Sequence, residues 1–223
     1  MSTEFDYKWK NLPSEYIEYN DERISELFEF IRVDSDFFEG KRCLDAGCGN
    51  GRYTYAMLQL GGIVDSIDVS IEAVNYCKEI NANTKHMSIY DVRSSYDFIL
   101  SYGVLHHLPD PRKGFHVLAD AIKPGGMMHV MIYHIETQIK YLAGRKRFKT
   151  MNEQQRLAYC EKIAKGDVSL VHGLYDAYCP KYNYGFVPSD IENWFLEEGF
   201  EKIRLTKVHN INVNGVRLGN NTR

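Results

Sequence analysis

The stretch Leu44–Thr54, LDAGCGNGRYT, constrains the fold of this chain more than any other part of the sequence. It places Gly47, Gly49 and Gly51 at every second position behind Asp45. Glycine costs roughly 0.5–1 kcal/mol relative to alanine inside a helix or strand, so this spacing indicates backbone that turns tightly or approaches a ligand closely. The residues before the glycines have the pattern of a short buried strand, and those after them have the pattern of a helix. The sequence therefore predicts a strand, a glycine loop and a helix, in that order.

Strand-like and helical segments alternate along the next part of the chain. IVDSID predicts a second strand, and Ser70 is the expected N-cap of the helix IEAVNYCKEI. TKHMSIYD and YDFILSYG predict the third and fourth strands, with Asp91 at the end of the third. DPRKGFHVLADAI predicts a helix that Pro124–Gly126 stops, before the strand MMHVMIY. This alternation predicts an α/β fold with a doubly wound, mainly parallel sheet covered by helices on both faces.

The alternation breaks at about Ile135 and resumes near Pro188. Between them we expect an insertion over the edge of the sheet, with a basic helix and a second helix opened by a capping box of Thr150 and Glu153. The helix SDIENWFLEEGF, with a capping-box spacing at its start, and the strand EKIRLTKV follow. The Asn-Gly pair in INVNGVRL predicts a terminal hairpin turn.

The composition narrows the class of protein. A chain of 223 residues with a net charge of −3 can bury a full core, and it has no global basic field for nucleic acid. Five cysteines without a C-x-x-C pair indicate neither a disulfide framework nor a zinc site. The chain starts without a signal-peptide pattern and has no run of 18 apolar residues. We therefore expect a cytoplasmic protein without a membrane span.

The spacing of the glycines separates two classes of nucleotide-binding loop. The dinucleotide fingerprint requires a glycine at position 52, which is Arg52 here, and this disfavours a nicotinamide dehydrogenase. The pattern Asp-x-Gly-x-Gly-x-Gly resembles the first motif of the class I S-adenosylmethionine-dependent methyltransferases. SIDVS, which contains Asp68, resembles their second-strand motif, and YDFILSYGVLHHLPDP resembles their fourth-strand motif. The resemblance, closest to bacterial small-molecule methyltransferases, implies a Rossmann-like seven-stranded sheet. It also implies S-adenosyl-L-methionine as cofactor, with S-adenosyl-L-homocysteine as product.

The resemblance also implies a cofactor site. Asp68 would accept hydrogen bonds from the two ribose hydroxyls, and Asp45 would lie near the ammonium group while the loop N–H groups face the carboxylate. Alternatively, Asp68 is a surface acid that caps the next helix, and Asp45 is an acid favoured by the helix dipole. Asp91 would reach the adenine amino group, or it is a plain turn residue. The full predicted set is Asp45, Ala46, Gly47, Cys48, Gly49, Gly51, Asp68, Val69, Asp91, Ser101 and Tyr102.

Two histidines follow the fourth strand in the loop that faces the glycine loop. His106 or His107 could remove a proton from the acceptor, because an unperturbed histidine titrates at about pH 6.5. His107 is the preferred candidate. Alternatively, the pair positions the cofactor or packs the loop. No third ligand follows at a defined spacing, so we expect no metal site.

The segments that could cover the acceptor pocket are rich in aromatic residues. They are FDYKWK near the start, Tyr133, His134, and the insertion tyrosines Tyr175, Tyr178, Tyr182 and Tyr184. Packing of the insertion onto the sheet explains these tyrosines equally well. The basic run Arg145–Lys149 could meet an anionic substrate, a phosphate-bearing carrier or RNA, or it is a solvated helix face.

We expect a single methyltransferase domain over residues 1–223 that transfers a methyl group to O, N or C of a small biosynthetic metabolite. Its predicted parts are an N-terminal helical cap (1–40), a cofactor-binding core (41–134), an insertion over the substrate site (135–187) and C-terminal helix and strands (188–223). The alternatives are an RNA- or tRNA-modifying methyltransferase and a non-catalytic cofactor-binding partner subunit. The expected partner is a small-molecule acceptor rather than nucleic acid, and the sequence leaves a homodimer open.

Overall fold

The computed structural model describes residues 4–11, 19–207 and 210–219. Seven strands lie in these ranges: β1 Arg42–Ala46, β2 Ile63–Asp68, β3 Thr84–His86, β4 Tyr96–Tyr102, β5 Ile122–Tyr133, β6 Phe200–Lys207 and β7 Asn210–Arg217. They form one sheet in the order β3-β2-β1-β4-β5-β7-β6. β1 to β5 pair in parallel, and β7 is antiparallel to both of its neighbours. The predicted doubly wound, mainly parallel seven-stranded sheet is confirmed.

Nine α-helices surround this sheet in the described part of the chain. They are α1 Glu4–Asn11, α2 Asp21–Ile31, α3 Arg52–Gln59, α4 Ile71–Lys78, α5 Pro111–Asp120, α6 Ile135–Phe148, α7 Glu153–Ala164, α8 Val168–Tyr178 and α9 Pro188–Glu197. The chain runs from β1 to β2 and β3 on one side and to β4 and β5 on the other. The winding therefore reverses between β1 and β4, where the carboxyl ends of the strands leave a crevice.

Alternate side chains of the strands pack into a hydrophobic core on each face of the sheet. Leu44 packs on one face with Phe115 of α5 and Phe195 of α9, and its neighbour Cys43 packs on the other with Phe30 of α2. The alternation follows the two-residue period of a strand buried on both faces. A third cluster, which includes Phe148, Tyr175 and Cys160, joins α6, α7 and α8, so the insertion has an apolar core of its own.

The third strand is shorter than the sequence predicts. It ends at His86, and Asp91 closes a separate 3-10 turn, Ile89–Asp91, where its side chain is exposed. The Ser88 hydroxyl accepts a hydrogen bond from Tyr90 N at 3.2 Å. This local cap competes with the strand ladder, as serine side chains commonly do.

The Pro-Gly-Gly signal also has a different outcome. α5 ends at Asp120, and Pro124–Gly126 lies inside β5 rather than stopping the helix. Tyr96 pairs with Ile122 and Phe98 with Met127, so the extra residues form a bulge opposite Asp97. A proline without an N–H donor is tolerated in a sheet at such a bulge.

Two predicted helix starts are wrong. The Asn152 side chain accepts from Gln155 N and the Gln155 side chain accepts from Asn152 N, each at 2.9 Å, so the capping box of α7 is this pair. Thr150 donates instead to Arg147 O, at the end of α6. α9 begins at Pro188, and Asp190 accepts from Val187 N at 3.0 Å, so the expected box starting at residue 189 does not form.

The Asn-Gly pair does not form a turn. Asn214 and Gly215 lie inside β7, where the buried Asn214 amide donates to Ile31 O at the end of α2. A Cβ on Gly215 would lie 2.8 Å from the Phe195 ring. β6 and β7 pair in the antiparallel sense instead, and residues 208–209 lie outside the described ranges.

Candidate active site

A cavity of about 350 Å³ opens at the carboxyl ends of β1, β2 and β4. The glycine loop, the end of β2 and the loop after β4 form its floor, and α1 and α8 supply the opposite wall. This is the switch point at which open α/β sheets bind ligands.

The glycine loop is close-packed on both sides. Gly47 has φ +91° and Gly49 has φ +54°, a region that side chains disfavour. A Cβ on Gly47 would lie 2.3 Å from Val104 Cγ2, and a Cβ on Gly49 would lie 2.7 Å from Trp9 Cζ2. The loop needs glycine at these positions because the chain after β4 and α1 approach its backbone.

Four amides of this loop, those of Gly47, Cys48, Gly49 and Gly51, are engaged within the protein. Gly47 N and Cys48 N donate to Ile67 O at 2.8 and 2.9 Å, and Gly51 N donates to Cys48 O at 2.9 Å. Gly49 N donates to Asp68. The expectation that these N–H groups face a ligand carboxylate is therefore not met, since neighbouring acceptors already hold them.

Asp68 is fixed by two backbone donors. Its Oδ2 accepts from Gly49 N at 2.9 Å and its Oδ1 accepts from Ser70 N at 2.8 Å. Burial raises the pKa of this carboxyl, and the hydrogen bonds from Ser70 and Gly49 oppose the shift. The remaining lone pairs of a half-buried carboxylate at the cavity wall can accept hydrogen bonds from a ligand.

Asp45 lies deeper in the same cavity and is 3% exposed. Its Oδ2 accepts from Thr54 Oγ1 at 2.7 Å. Burial raises the pKa of Asp45 to about 6, while the Thr54 hydrogen bond lowers it. A cationic group bound beside this carboxylate would favour its charged form.

α1 covers the cavity and is tied to α8. Phe5, Lys8 and Trp9 line the wall, as the sequence expects of FDYKWK. Lys8 Nζ and Asp176 Oδ2 lie 2.7 Å apart, and the two side chains are only 7% and 20% exposed. This ion pair joins segments 168 residues apart in the sequence.

A second tie holds α1 to the cofactor half of the fold. Asp6 Oδ1 accepts from Ser70 Oγ at 2.7 Å and from Ile71 N at 2.9 Å, at the start of α4. Ser70 is the N-cap of α4, as predicted. α1 therefore bridges the residues beside Asp68 and the insertion helix α8.

His107 lines the cavity, and its protonation is set by the insertion. Its Nδ1 lies 3.1 Å from Tyr182 O, and because a carbonyl only accepts, Nδ1 carries the proton and Nε2 is the basic atom. Burial lowers the pKa of His107 to about 4. The ring is therefore neutral at neutral pH.

His106 occupies a different environment. It is fully buried, does not line the cavity and stacks on Tyr133 with ring centroids 3.8 Å apart. Neither ring nitrogen has a hydrogen-bond partner among the described residues. Burial lowers its pKa well below the usual range. These surroundings fit packing of the loop better than proton transfer.

The other predicted cofactor residues divide into two groups. Cys48, Val69 and Tyr102 line the cavity with the residues above. Four lie outside its lining: the buried Ala46 and Ser101 inside strands, Gly51 against Cys77, and the exposed Asp91.

Most of the expected roofing residues have structural roles. Tyr133 lines the cavity, but His134 accepts from Glu136 N and caps α6. Tyr175 is buried in the core of the insertion, Tyr178 packs against Phe148, and Tyr182 and Tyr184 do not line the cavity. The lining residues that the sequence did not indicate include Arg52, His172 and Asp176. No local spacing marks the two from α8, because they reach the cavity only through the fold.

Two further findings concern metals and membranes. Among the described residues, His116, Asp120 and Glu198 lie close enough together to hold a metal ion. This group does not line the cavity, and Arg112 forms an ion pair with its Glu198 at 2.6 Å. No described helix combines the length and apolar character that crossing a membrane requires.

Comparison with known proteins identifies the domain. Residues 44–130, from the glycine loop into β5, match the family described as a methyltransferase domain. The magnesium protoporphyrin IX methyltransferase from Synechocystis PCC 6803, solved with bound SAM, superposes with a TM-score of 0.58 at 15% identity. This similarity covers 88% of this chain and 79% of that one. Residues 44–130 therefore match a methyltransferase domain, and the sheet around them has the fold of the class I S-adenosylmethionine-dependent methyltransferases.

Two relatives of this chain carry the same name, ubiquinone biosynthesis O-methyltransferase. The protein from Shewanella sp. (strain ANA-3) is 31% identical over 103 residues, which is 40% of this chain and 42% of that protein. The protein from Coxiella burnetii (strain Dugway 5J108-111) is 26% identical over 180 residues, which is 77% of this chain and 68% of that protein. This chain thus spans less than half the length of the Shewanella relative.

The contribution of the ion pair between α1 and α8 to the free energy of unfolding can be measured. We expect Lys8→Met and Asp176→Leu to be coupled by about 1–3 kcal/mol in a double-mutant cycle, because either single change leaves a charge buried without its partner. The exposed pair Lys207–Glu29, with an N–O distance of 2.7 Å, is the control and should show coupling below about 1 kcal/mol. Urea denaturation measures both cycles. Equal coupling in the two cycles would contradict a buried tie.

Proposed function

We propose that this chain is a methyltransferase that binds S-adenosylmethionine in the cavity and methylates a small organic acceptor. The observation that carries the proposal is the Asp68 carboxylate, held by Gly49 N and Ser70 N at the end of β2 and exposed to the cavity. A carboxylate fixed there suits two vicinal hydroxyls, which a ribose presents.

The polar ends of the cavity suit the amino acid part of the same cofactor. Asp45 supplies a buried carboxylate for its ammonium group. Since the three glycine amides of the loop are engaged, we assign the cofactor carboxylate to Arg52, whose guanidinium lies over the Tyr53 and Tyr102 rings at 4.6 and 5.8 Å. Arginine is a strong partner for carboxylates.

His107 is the proposed general base. When bound, S-adenosylmethionine supplies an electrophilic methyl group on a sulfonium. His107 Nε2 would take the proton from an acceptor O–H, N–H or acidic C–H, and the Tyr182 carbonyl would stabilise the resulting imidazolium through Nδ1–H. A nearby carboxylate, Asp176, also favours the charged ring.

The remaining cavity wall favours a compact acceptor. Phe5 and Tyr133 provide aromatic surface, and His172 and Asp176 provide polar groups. A volume of about 350 Å³ leaves room for a small molecule beside the cofactor more readily than for an RNA chain. The names of the Shewanella and Coxiella relatives agree with a biosynthetic metabolite as acceptor. The cytoplasmic location, the domain boundaries and a homodimer stay predictions.

Cofactor binding tests this assignment by titration calorimetry. We expect S-adenosylhomocysteine to bind the wild type, and Asp68→Ala to weaken binding at least about tenfold because the ribose loses both acceptors. Asp91→Asn, outside the cavity, is the matched control and should bind as the wild type does. NADH should not bind. Unchanged binding by Asp68→Ala would contradict the assignment, as would NADH binding in place of S-adenosylhomocysteine.

The role of His107 is tested by kinetics with an identified acceptor. We expect His107→Asn to lower kcat by about 10²- to 10⁴-fold while S-adenosylhomocysteine affinity stays unchanged. His134→Asn is the control, since asparagine also caps helices and His134 does not line the cavity. Because burial lowers the pKa of His107 to about 4, the wild-type kcat at saturating cofactor should stay constant from neutral pH to about pH 5. An undiminished kcat in His107→Asn would contradict a general base.

A further inference from the structure

A second cavity lies within the insertion, between α6, α7 and the chain that follows α8. Its volume is about 1130 Å³. Its wall carries the cations Arg145, Lys146, Lys149, Arg156 and Lys181, and Glu153 is the one carboxylate among the described lining residues. Such an excess of one charge in a concave wall concentrates the electrostatic field inside it.

Four of these cations have no carboxylate partner among the described residues. Arg145, Lys146, Lys149 and Arg156 form no ion pair there, whereas Arg112 pairs with both Glu197 and Glu198.

The two arginines are held in place by backbone carbonyls. Arg145 Nη2 donates to Pro180 O at 2.9 Å and Arg156 Nε donates to Phe148 O at 3.0 Å. Arg145 is half-buried, and burial lowers the pKa of its guanidinium. A partly desolvated cation without a counter-ion is unfavourable, so the cavity is suited to receive an anion.

The helix dipole alone does not account for this arrangement. Cations in the last turn of α6 are favoured by the negative end of the helix, which explains why the run is basic. Arg147 belongs to the same turn, yet it lies over the Tyr159 ring at 4.8 Å and does not line the cavity. The helix dipole favours Arg145, Lys146 and Arg147 alike, whereas only Arg145 and Lys146 of these three line the cavity.

We propose that this basic cavity is a binding site for the phosphate group of an anionic ligand. Two fixed guanidinium groups offer directed N–H donors to phosphate oxygens, and the flexible lysines add positive charge at the rim. A phosphate dianion would supply the negative charge that the wall lacks.

The position of the cavity connects it to the candidate active site. Arg145 donates hydrogen bonds to the carbonyls of Pro180 and Asn183, and His107 donates one to the carbonyl of Tyr182, which lies between them in the sequence. One short segment thus contacts both sites. The phosphate site itself does not depend on the proposed methyl transfer.

Calorimetry with inorganic pyrophosphate in low-salt buffer tests the proposal. We expect binding to the wild type, and a loss of at least about tenfold in Lys146→Gln/Lys149→Gln. Lys140→Gln/Arg147→Gln is the matched control, because it removes two charges from the same helix outside the cavity. S-adenosylhomocysteine binding, measured on the same samples, reports whether each variant is folded.

Two further probes separate the sources of the phosphate. Binding of pyrophosphate without capture by phosphatidic acid vesicles supports a soluble ligand, and capture that the cavity variant loses supports a lipid headgroup. Equal weakening in both double variants would overturn the proposal, because it would show only a general charge effect. Binding to an RNA oligonucleotide without pyrophosphate binding would also overturn it.

Discussion

The hydrogen bonds from Gly49 N and Ser70 N to the Asp68 carboxylate hold the candidate active site together. They join the loop after β1 to the end of β2 and to the first turn of α4. Ser70 in turn bonds Asp6, so the same contact carries α1 across the cavity. Without this carboxylate the loop would lose a partner for a buried amide, and the cavity would lose one wall. The ligand-facing acid is also a structural element.

The sequence predicts best the parts of the fold that local patterns determine. β2 has the predicted limits, and Ser70 caps α4 as expected. The errors fall where tertiary contacts override a local signal. The pair Asn214–Gly215 has turn chemistry, but burial of the Asn214 amide against α2 and the Phe195 ring against Gly215 keep it inside a strand. Pro124–Gly126 has the chemistry of a helix stop, but it becomes a bulge.

The candidate site divides in the same way. Asp45 lies near the end of β1, Asp68 ends β2 and His107 follows β4. The carboxyl ends of these strands must meet at the switch point, so the place of the three residues could be predicted. Asp176 and His172 come from α8, whose position depends on the separate core of the insertion, and no spacing in the sequence marks them. The engagement of the Gly47 and Cys48 amides could not be predicted either, because their shared acceptor, Ile67 O, belongs to the neighbouring strand.

A crystal structure of the protein with S-adenosylhomocysteine tests the central claim most directly. We expect density in the cavity beneath α1, with both ribose hydroxyls within hydrogen-bond distance of the Asp68 carboxylate and the amino group beside Asp45. Density at another place, or a nucleoside whose ribose does not contact Asp68, would contradict it.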